Sequence, residues 1–293
     1  MGSTVRQAHL DDREDVVAFA SEVWDDRPDT DDYIPDVFAS WVESDGPDRR
    51  TLVADVEGTA AGLCQAVMLT DHEAWLQGMR VDPDYRGEGL GLAMVEDCFD
   101  WCRERGAVVA RNMVFSWNDA GLGQSMAAGF GPATSFRFAH PEPRDVTVEG
   151  VDDDPAAAWR YWTSSEGRSH LSGLALDREE AWALSELTRG DLFALADEER
   201  VFAVKTDGTR GMGYRSGMTA TNDGTLAEYG VGTWTDREAA AALFDAVRAD
   251  AAALGVDGTR VLLPETPRHV AEAAAVRADL ADWPDFVLAA DLT

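Results

Sequence analysis

Lysine is almost missing from this 293-residue sequence: Lys205 is the only one, and every other base is arginine. Basic side chains number 25 against 55 acidic ones, a formal net charge of -30. So few cations argue against a partner that presents a phosphate backbone, and no nucleic acid is expected. Cysteine is scarce as well. Cys64, Cys98 and Cys102 form an odd set without a framework, which points to a reducing compartment and to small buried apolar residues. The five histidines, His9, His72, His140, His170 and His269, show no metal-ligand spacing, so no metal is expected. No apolar run reaches the ~18 residues of a membrane span, and no signal-peptide core opens the chain. The expectation is a soluble cytoplasmic protein with no membrane partner.

What is present is a core and a repeat. Hydrophobic residues make up 45% of the chain, ample for burial. "TVRQAHLDDREDVVAFASEVW" (4–24) reads as strand, Asp-rich cap and amphipathic helix, and "VTVEGVDDDPAAAWRYWTSS" (146–165) has the same grammar. "LVADVEGTAAGLCQAVM" (52–68) and "VFAVKTDGTRGMGYRSGM" (201–218) both read as strand, Gly-Thr turn, strand. "WLQGMRV" (75–81) corresponds to "LAEYGVG" (226–232), each before a long helix. An offset of about 150 residues suits two copies of one domain, with the boundary at "HPEPRD" (140–145), where prolines interrupt regular structure.

In the first copy, apolar spacing predicts helices at 12–24 and 34–43, the second carrying Ile34, Val37, Phe38 and Trp41 on one stripe. Strands are expected at 51–56, 62–69 and 74–81. A glycine loop, a helix at 90–105 ending at Gly106, a strand at 107–115, a short helix at 119–128 and a strand pair at 131–140 complete it. The element order is α+β with a mixed sheet rather than a repeating βαβ pattern.

The stretch "VDPDYRGEGLG" (81–91) stands between a strand and an amphipathic helix. Its G-x-G-x-G is not the dinucleotide fingerprint. Its context carries the meaning: the N–H groups of Arg86 to Gly91 can converge on an anion at a helix N-terminus, and a diphosphate is the natural occupant. "MRVDPDYRGEGLGLAMV" (79–95) resembles the signature of the GNAT acyltransferase superfamily, whose R/Q-x-x-G-x-G/A loop binds acetyl-CoA; Arg86, Gly89 and Gly91 stand at its marked positions. "NDAGLGQSMAAGF" (118–130) resembles the family's second signature through Asn118, Gly129 and Phe130. The acidic, lysine-poor composition likewise resembles that of extreme halophiles.

The resemblance implies two tandem GNAT-like domains, each a mixed, mostly antiparallel sheet flanked by helices. Residues 1–141 would carry the acetyl-CoA loop and 142–293 would be a degenerate copy. Strands 74–81 and 107–115 would splay to admit pantetheine, which would pair with the backbone of Met79 and Val81. An N–H near Met79 or Arg80 would polarise the thioester. The diphosphate would rest on Arg86, Gly87, Glu88, Gly89, Leu90 and Gly91, and Asn118 would lie near the pantetheine arm or serve only as an N-cap. Acetyl-CoA is thus the expected co-substrate, and an amine, of a small molecule or a protein, the acceptor. The family's glutamate base aligns with Gln77 and its tyrosine acid with Ser125. Ser125 can still donate a hydrogen bond to the departing sulfur. Glu73 and His72 are the nearby candidates for a base, both read as loop residues. The second copy keeps the helix "TWTDREAAAALFDAV" (233–247) without a glycine nest, and Glu228 and Tyr229 are expected at a strand edge. Trp159, Trp162 and Trp182 read as core. The function expected is amine acetylation from acetyl-CoA; the alternative is a non-catalytic acyl-CoA sensor.

Overall fold

The computed structural model of the protein describes residues 2–23, 32–221 and 224–293. Trp24, the end of the first expected helix, and positions 25–31 lie outside the described residues. By contacts the chain divides into two units. One comprises residues 1–113, 118–132 and 288–293, and the other residues 114–117 and 133–287. The division therefore does not follow a single cut after residue 141, because the last six residues belong with the first unit. Leu292 N–H donates to Val108 O (2.9 Å), and Arg103 Nε donates to Leu292 O (3.2 Å).

In the first unit β1 (Ser3–Gln7), α1 (Arg13–Glu22), α2 (Ile34–Ser44), β2 (Arg49–Val56), β3 (Thr59–Met68), β4 (Glu73–Val81), α3 (Leu90–Arg103), β5 (Val109–Phe115) and α4 (Asp119–Ala127) follow in order. The sheet runs β1-β2-β3-β4-β5, antiparallel except for the parallel β4–β5 pair. The turn between β2 and β3 sits at Glu57-Gly58, both at positive φ (53° and 95°), a conformation suited to the twist of a two-residue hairpin. Alternation along β3 sorts the core onto two faces. Leu63 packs with Val16, Phe19, Ile34 and Phe38 of α1 and α2. Gly62 and Cys64 meet α3 on the other face: a Cβ at Gly62 would lie 2.8 Å from Met94 Cε, and Cys98 Sγ is 3.8 Å from Cys64 Sγ. All three cysteines are buried, as expected of small apolar residues.

The second unit repeats the plan with insertions. It holds β6 (Gly131–Ala139), β7 (Val151–Asp152), α5 (Pro155–Ser164), α6 (Glu166–His170), β8 (Leu174–Leu176), β9 (Leu184–Glu186) and α7 (Arg189–Ala196). β10 (Val201–Lys205), β11 (Thr209–Thr221), β12 (Gly224–Trp234), α8 (Arg237–Leu254), β13 (Gly258–Pro264), α9 (Pro267–Ala275) and β14 (Asp285–Asp291) complete the chain. Its sheet runs β6-β13-β12-β11-β10-β7, again with one parallel pair, β12–β13. The β10–β11 turn repeats the backbone of the first, with Asp207 and Gly208 at φ 54° and 99°. The core gathers Tyr229, Trp234, Leu243, Phe244, Val261 and Leu263. Two expectations are corrected: residues 131–139 form one strand rather than a pair, and the strand expected at the start of 146–165 is only Val151–Asp152. The β8–β9 ribbon with α6 and α7 was not foreseen.

Candidate active site

The chemistry-bearing residues of the first unit gather where β4 and β5 part. The ladder pairs Glu73 with Val109, Ala74 with Ala110 and Trp75 with Arg111, and stops there among the described residues. Further along β4, Leu76, Gln77, Arg80 and Val81 pair with β3, and no ladder to β5 is found there among the described residues. Two features distinguish β4 at this point. Gly78 adopts φ +67°, and the β3–β4 register shifts there, so β4 bulges. A Cβ at Gly78 would also sit 2.5 Å from Trp41 Cζ3, so α2 packs directly onto the bulge. A bulge re-aims the backbone beside it, here Met79 and Arg80, next to the stretch where no β4–β5 ladder is found among the described residues. The Arg80 guanidinium is held by Asp32 (2.7 Å) and donates to Met79 O (3.1 Å).

Beyond Val81 a turn at Pro83–Tyr85 leads into the loop, with Asp82 accepting from Asp84 N–H (2.9 Å). Arg86, Gly87, Glu88 and Gly89 are exposed, and Leu90 and Gly91 are buried as α3 begins. The three glycines do different things. Gly87 and Gly89 sit at φ +84° and +83°, where a side chain is strained, although a Cβ at either would meet nothing within 4 Å. Gly91 has ordinary helical backbone but lies so close to the Gln124 amide that a Cβ would collide with it. Gly91 is thus the glycine of close approach, and the approaching partner is α4. Among the described residues no side chain caps α3, and its first turn contains no acidic residue. The N–H groups and dipole at this end are therefore presented to an incoming anion.

The corresponding helix of the second unit is closed. Asp236 caps α8, accepting from Glu238 and Ala239 N–H (3.1 Å each), and is ion-paired with Arg210. Burial works to raise its pKa, but the Ala239 N–H, Arg210 and Thr235 outweigh it and hold Asp236 at about 2. The β12–β13 ladder also ends early, at Tyr229–Val261. Side chains fill the space beyond it. Gly167 of α6 abuts Thr233 and Pro264, Val261 and Leu263 close to 3.2 Å of a Cβ at Gly232, and His269 bridges Thr233 (3.0 Å) and Thr266 (2.8 Å).

Several site expectations change. Glu73 is a strand residue only 1% exposed, ion-paired with Arg111, at the closed end of the ladder, not a loop carboxylate. That commitment removes it as a free base. His72 is exposed and contacts Thr70. Gln77 continues a buried chain of amides and hydroxyls: its Nε2 donates to Gln65 Oε1 (2.8 Å), Gln65 Nε2 to Thr51 Oγ1 (3.0 Å), and Thr51 Oγ1 to Asp45 (2.9 Å). Asn118 is the N-cap of α4, its Oδ1 accepting from Gly121 N–H (2.9 Å). Ser125 is buried on α4 and accepts from Asn112 Nδ2 (3.0 Å). Sequence reading missed Asn112, whose only signal was a carboxamide beside Arg111 in a mostly apolar strand. In the second unit Glu228 and Tyr229 are buried rather than at an edge; Glu228 pairs with Arg260, and Tyr229 O–H reaches Asp250 (2.8 Å). Trp162 is core, whereas Trp182 is 41% exposed and stacks on Arg260.

Comparison with known proteins agrees with this arrangement. Residues 11–122 match the model of the acetyltransferase (GNAT) family. The [ribosomal protein bS18]-alanine N-acetyltransferase of Escherichia coli K12 is 35% identical over 81 residues, 28% of this chain and 51% of that protein. The Salmonella typhimurium protein of the same description is 32% identical over 102 residues, 35% of this chain and 64% of its own length. The chain therefore spans about half to two-thirds of the curated relatives it matches. The crystal structure of a GCN5-related N-acetyltransferase from Sphaerobacter thermophilus superposes with a TM-score of 0.62 at 17% identity, covering 99% of this chain and 96% of that one. Residues 11–122 are thus similar to the GNAT acetyltransferase family, and the chain has the α+β fold of that crystal structure, with a mixed sheet and flanking helices.

Proposed function

We propose that the protein is an N-acyltransferase that transfers acetyl from acetyl-CoA to an amine, using the site of its first unit. The observation that carries this reading is the pairing of an uncapped α3, entered through left-handed Gly87 and Gly89, with a β4 edge freed at Trp75. The residues fit the co-substrate at both ends. The α3 N–H groups suit a diphosphate, and the β4 edge suits the amides of a pantetheine arm. When bound, acetyl-CoA supplies an activated acyl group on a sulfur whose thiol, like that of cysteine (~8.5), ionises readily enough to leave without a strong acid.

The chain's own residues then have limited tasks. Arg86, Gly87, Glu88, Gly89, Leu90 and Gly91 hold the diphosphate through backbone. Met79 and Val81 align the arm, and an N–H at the Met79–Arg80 bulge stabilises the charge that develops on the carbonyl oxygen. Ser125 donates a hydrogen bond to sulfur. The amine's proton passes to water, since Glu73 is held by Arg111 and Gln77 is neutral. The named relatives act on an alanine of a ribosomal protein, which supports an amine acceptor and makes peptides with a free α-amino group the first acceptors to try. The second unit, with Asp236 capping α8 and α6 wedged behind β12, serves packing or acceptor selection rather than a second CoA site.

The test is incubation with acetyl-CoA and a panel of peptide and small amines, following free CoA and acetylated product together. Amine-dependent release with matching product is expected. Tight acetyl-CoA binding with no product from any amine would overturn catalysis, and absence of binding would overturn the site.

A further inference from the structure

Asn112 is the first residue of β5 past the end of the β4–β5 ladder. Its Nδ2 donates to Ser125 Oγ across 3.0 Å, and its Oδ1 is buried with no partner among the described residues. An unsatisfied buried amide oxygen is costly and asks for a donor. Ser125 itself is buried, 8% exposed, and carries a single O–H donor. With one lone pair of Oγ taken up by Asn112, that proton is directed away from Asn112, and no acceptor for it is found among the described residues.

We propose that Asn112 is a positioning residue. By donating to Ser125 Oγ it fixes the rotor so that the Ser125 O–H points at the sulfur of the acyl donor. Its orphaned Oδ1 accepts an amide N–H of the pantetheine arm. This rests on the acyl-transfer reading above. As the amine nitrogen bonds to the acyl carbon, the C–S bond breaks and its electron pair goes to sulfur. Ser125 gives that sulfur a hydrogen bond, not a proton, and the amine's proton goes to water. Asn112 touches no reacting atom; it acts through Ser125.

Reversing the bond tests the idea. In Asn112→Asp the carboxylate accepts from the Ser125 O–H and turns the proton away from sulfur. The kcat should fall up to about tenfold, the range of one neutral hydrogen bond, with KM for acetyl-CoA within about twofold. Ser125→Ala should fall by the same factor, and Asn112→Asp/Ser125→Ala no further than Ser125→Ala alone. Multiplicative losses, or a loss confined to KM, would overturn the positioning role. Side-chain amide resonances of Asn112 in 15N-labelled protein give a readout independent of turnover and of whether the aspartate variant folds. They should shift on Ser125→Ala without ligand, and again when CoA is added to wild type. Resonances indifferent to Ser125→Ala would overturn the hydrogen bond. Resonances that move with Ser125→Ala but not with CoA would overturn the role of Oδ1. Wild type that binds neither CoA nor acetyl-CoA would overturn the underlying reading instead, a result separate from all of these.

Discussion

Replacing Gly89 by valine isolates what the loop contributes, because the structure removes the usual confusion between strain and collision. A Cβ at Gly89 would meet nothing within 4 Å, so only the φ of +83° opposes a side chain. An L-residue in this region costs roughly 1–2 kcal/mol, and a β-branched one reaches the upper part of the ~1–3 kcal/mol range for strained backbone. The variant has two ways to bear that cost. It can keep the dihedral and lose about 2–3 kcal/mol of folding stability, roughly 30- to 150-fold in the unfolding constant. It can relax toward right-handed backbone, recover stability, and turn the N–H groups of the α3 entrance away from the diphosphate. Because the loop is exposed and uncapped, relaxation is the easier course. Acetyl-CoA affinity should therefore fall at least tenfold, with only a minor change in urea denaturation. Gly91→Ala is the control. Its Cβ meets the far end of the Gln124 side chain on helical backbone, so Gln124 should shift and affinity should stay within a few-fold. Calorimetric titration of both variants, alongside denaturation curves, decides the matter. A Gly89→Val protein with wild-type affinity and wild-type stability would refute the reasoning.

The remaining predictions concern charge. With a net charge of -30, self-repulsion should make the melting temperature climb from dilute buffer to molar KCl; a flat or falling curve would contradict this. Burial, with Arg268 adding to it, lowers the His269 pKa from 6.5 to about 4, so its contribution to stability is intact above pH 6.5 and is lost as pH falls toward 4, about 3 kcal/mol in all. Burial raises Asp285 from 3.8 to about 7 against the pull of Arg260 and Arg137, so its contribution is intact below pH 3.8 and is lost as pH rises toward 7, of the order of 4 kcal/mol. The two slopes oppose each other between pH 4 and 6.5. Relative to wild type, denaturation of His269→Gln should show stability gained toward acid, and Asp285→Asn stability gained toward neutral pH; parallel pH profiles would refute both assignments. Glu73→Ala should destabilise by about 3–5 kcal/mol by leaving the Arg111 guanidinium buried without its carboxylate, measured by urea denaturation, and a loss below 1 kcal/mol would contradict the buried pair.

The loop could be read from sequence because its determinants are local. Glycines at positive φ, a missing cap residue before α3 and the apolar stripe of the helix all lie within about twenty consecutive positions. The hairpin turns at Glu57-Gly58 and Asp207-Gly208 were legible for the same reason, each signalled by a local Gly-Thr pair. What stayed hidden depends on register between distant segments. Glu73 looked like a loop acid because its partner, Arg111, is brought alongside only by the parallel β4–β5 pairing. Asn112 carried no motif, and its role follows from α4 placing Ser125 within 3.0 Å. The return of residues 288–293 to the first unit, and the α6 wedge behind β12, likewise leave no periodic signature in the chain.

The central claim is that one unit of this chain binds acetyl-CoA productively and the other does not. Titrating acetyl-CoA into the full chain by calorimetry, then adding the amine panel to the same sample and following thiol release, tests it most directly. The expected result is one site per chain and release of CoA that requires an amine. Two sites per chain would contradict the closure of the second unit by Asp236, and a single site with no amine-dependent release would contradict acyl transfer itself.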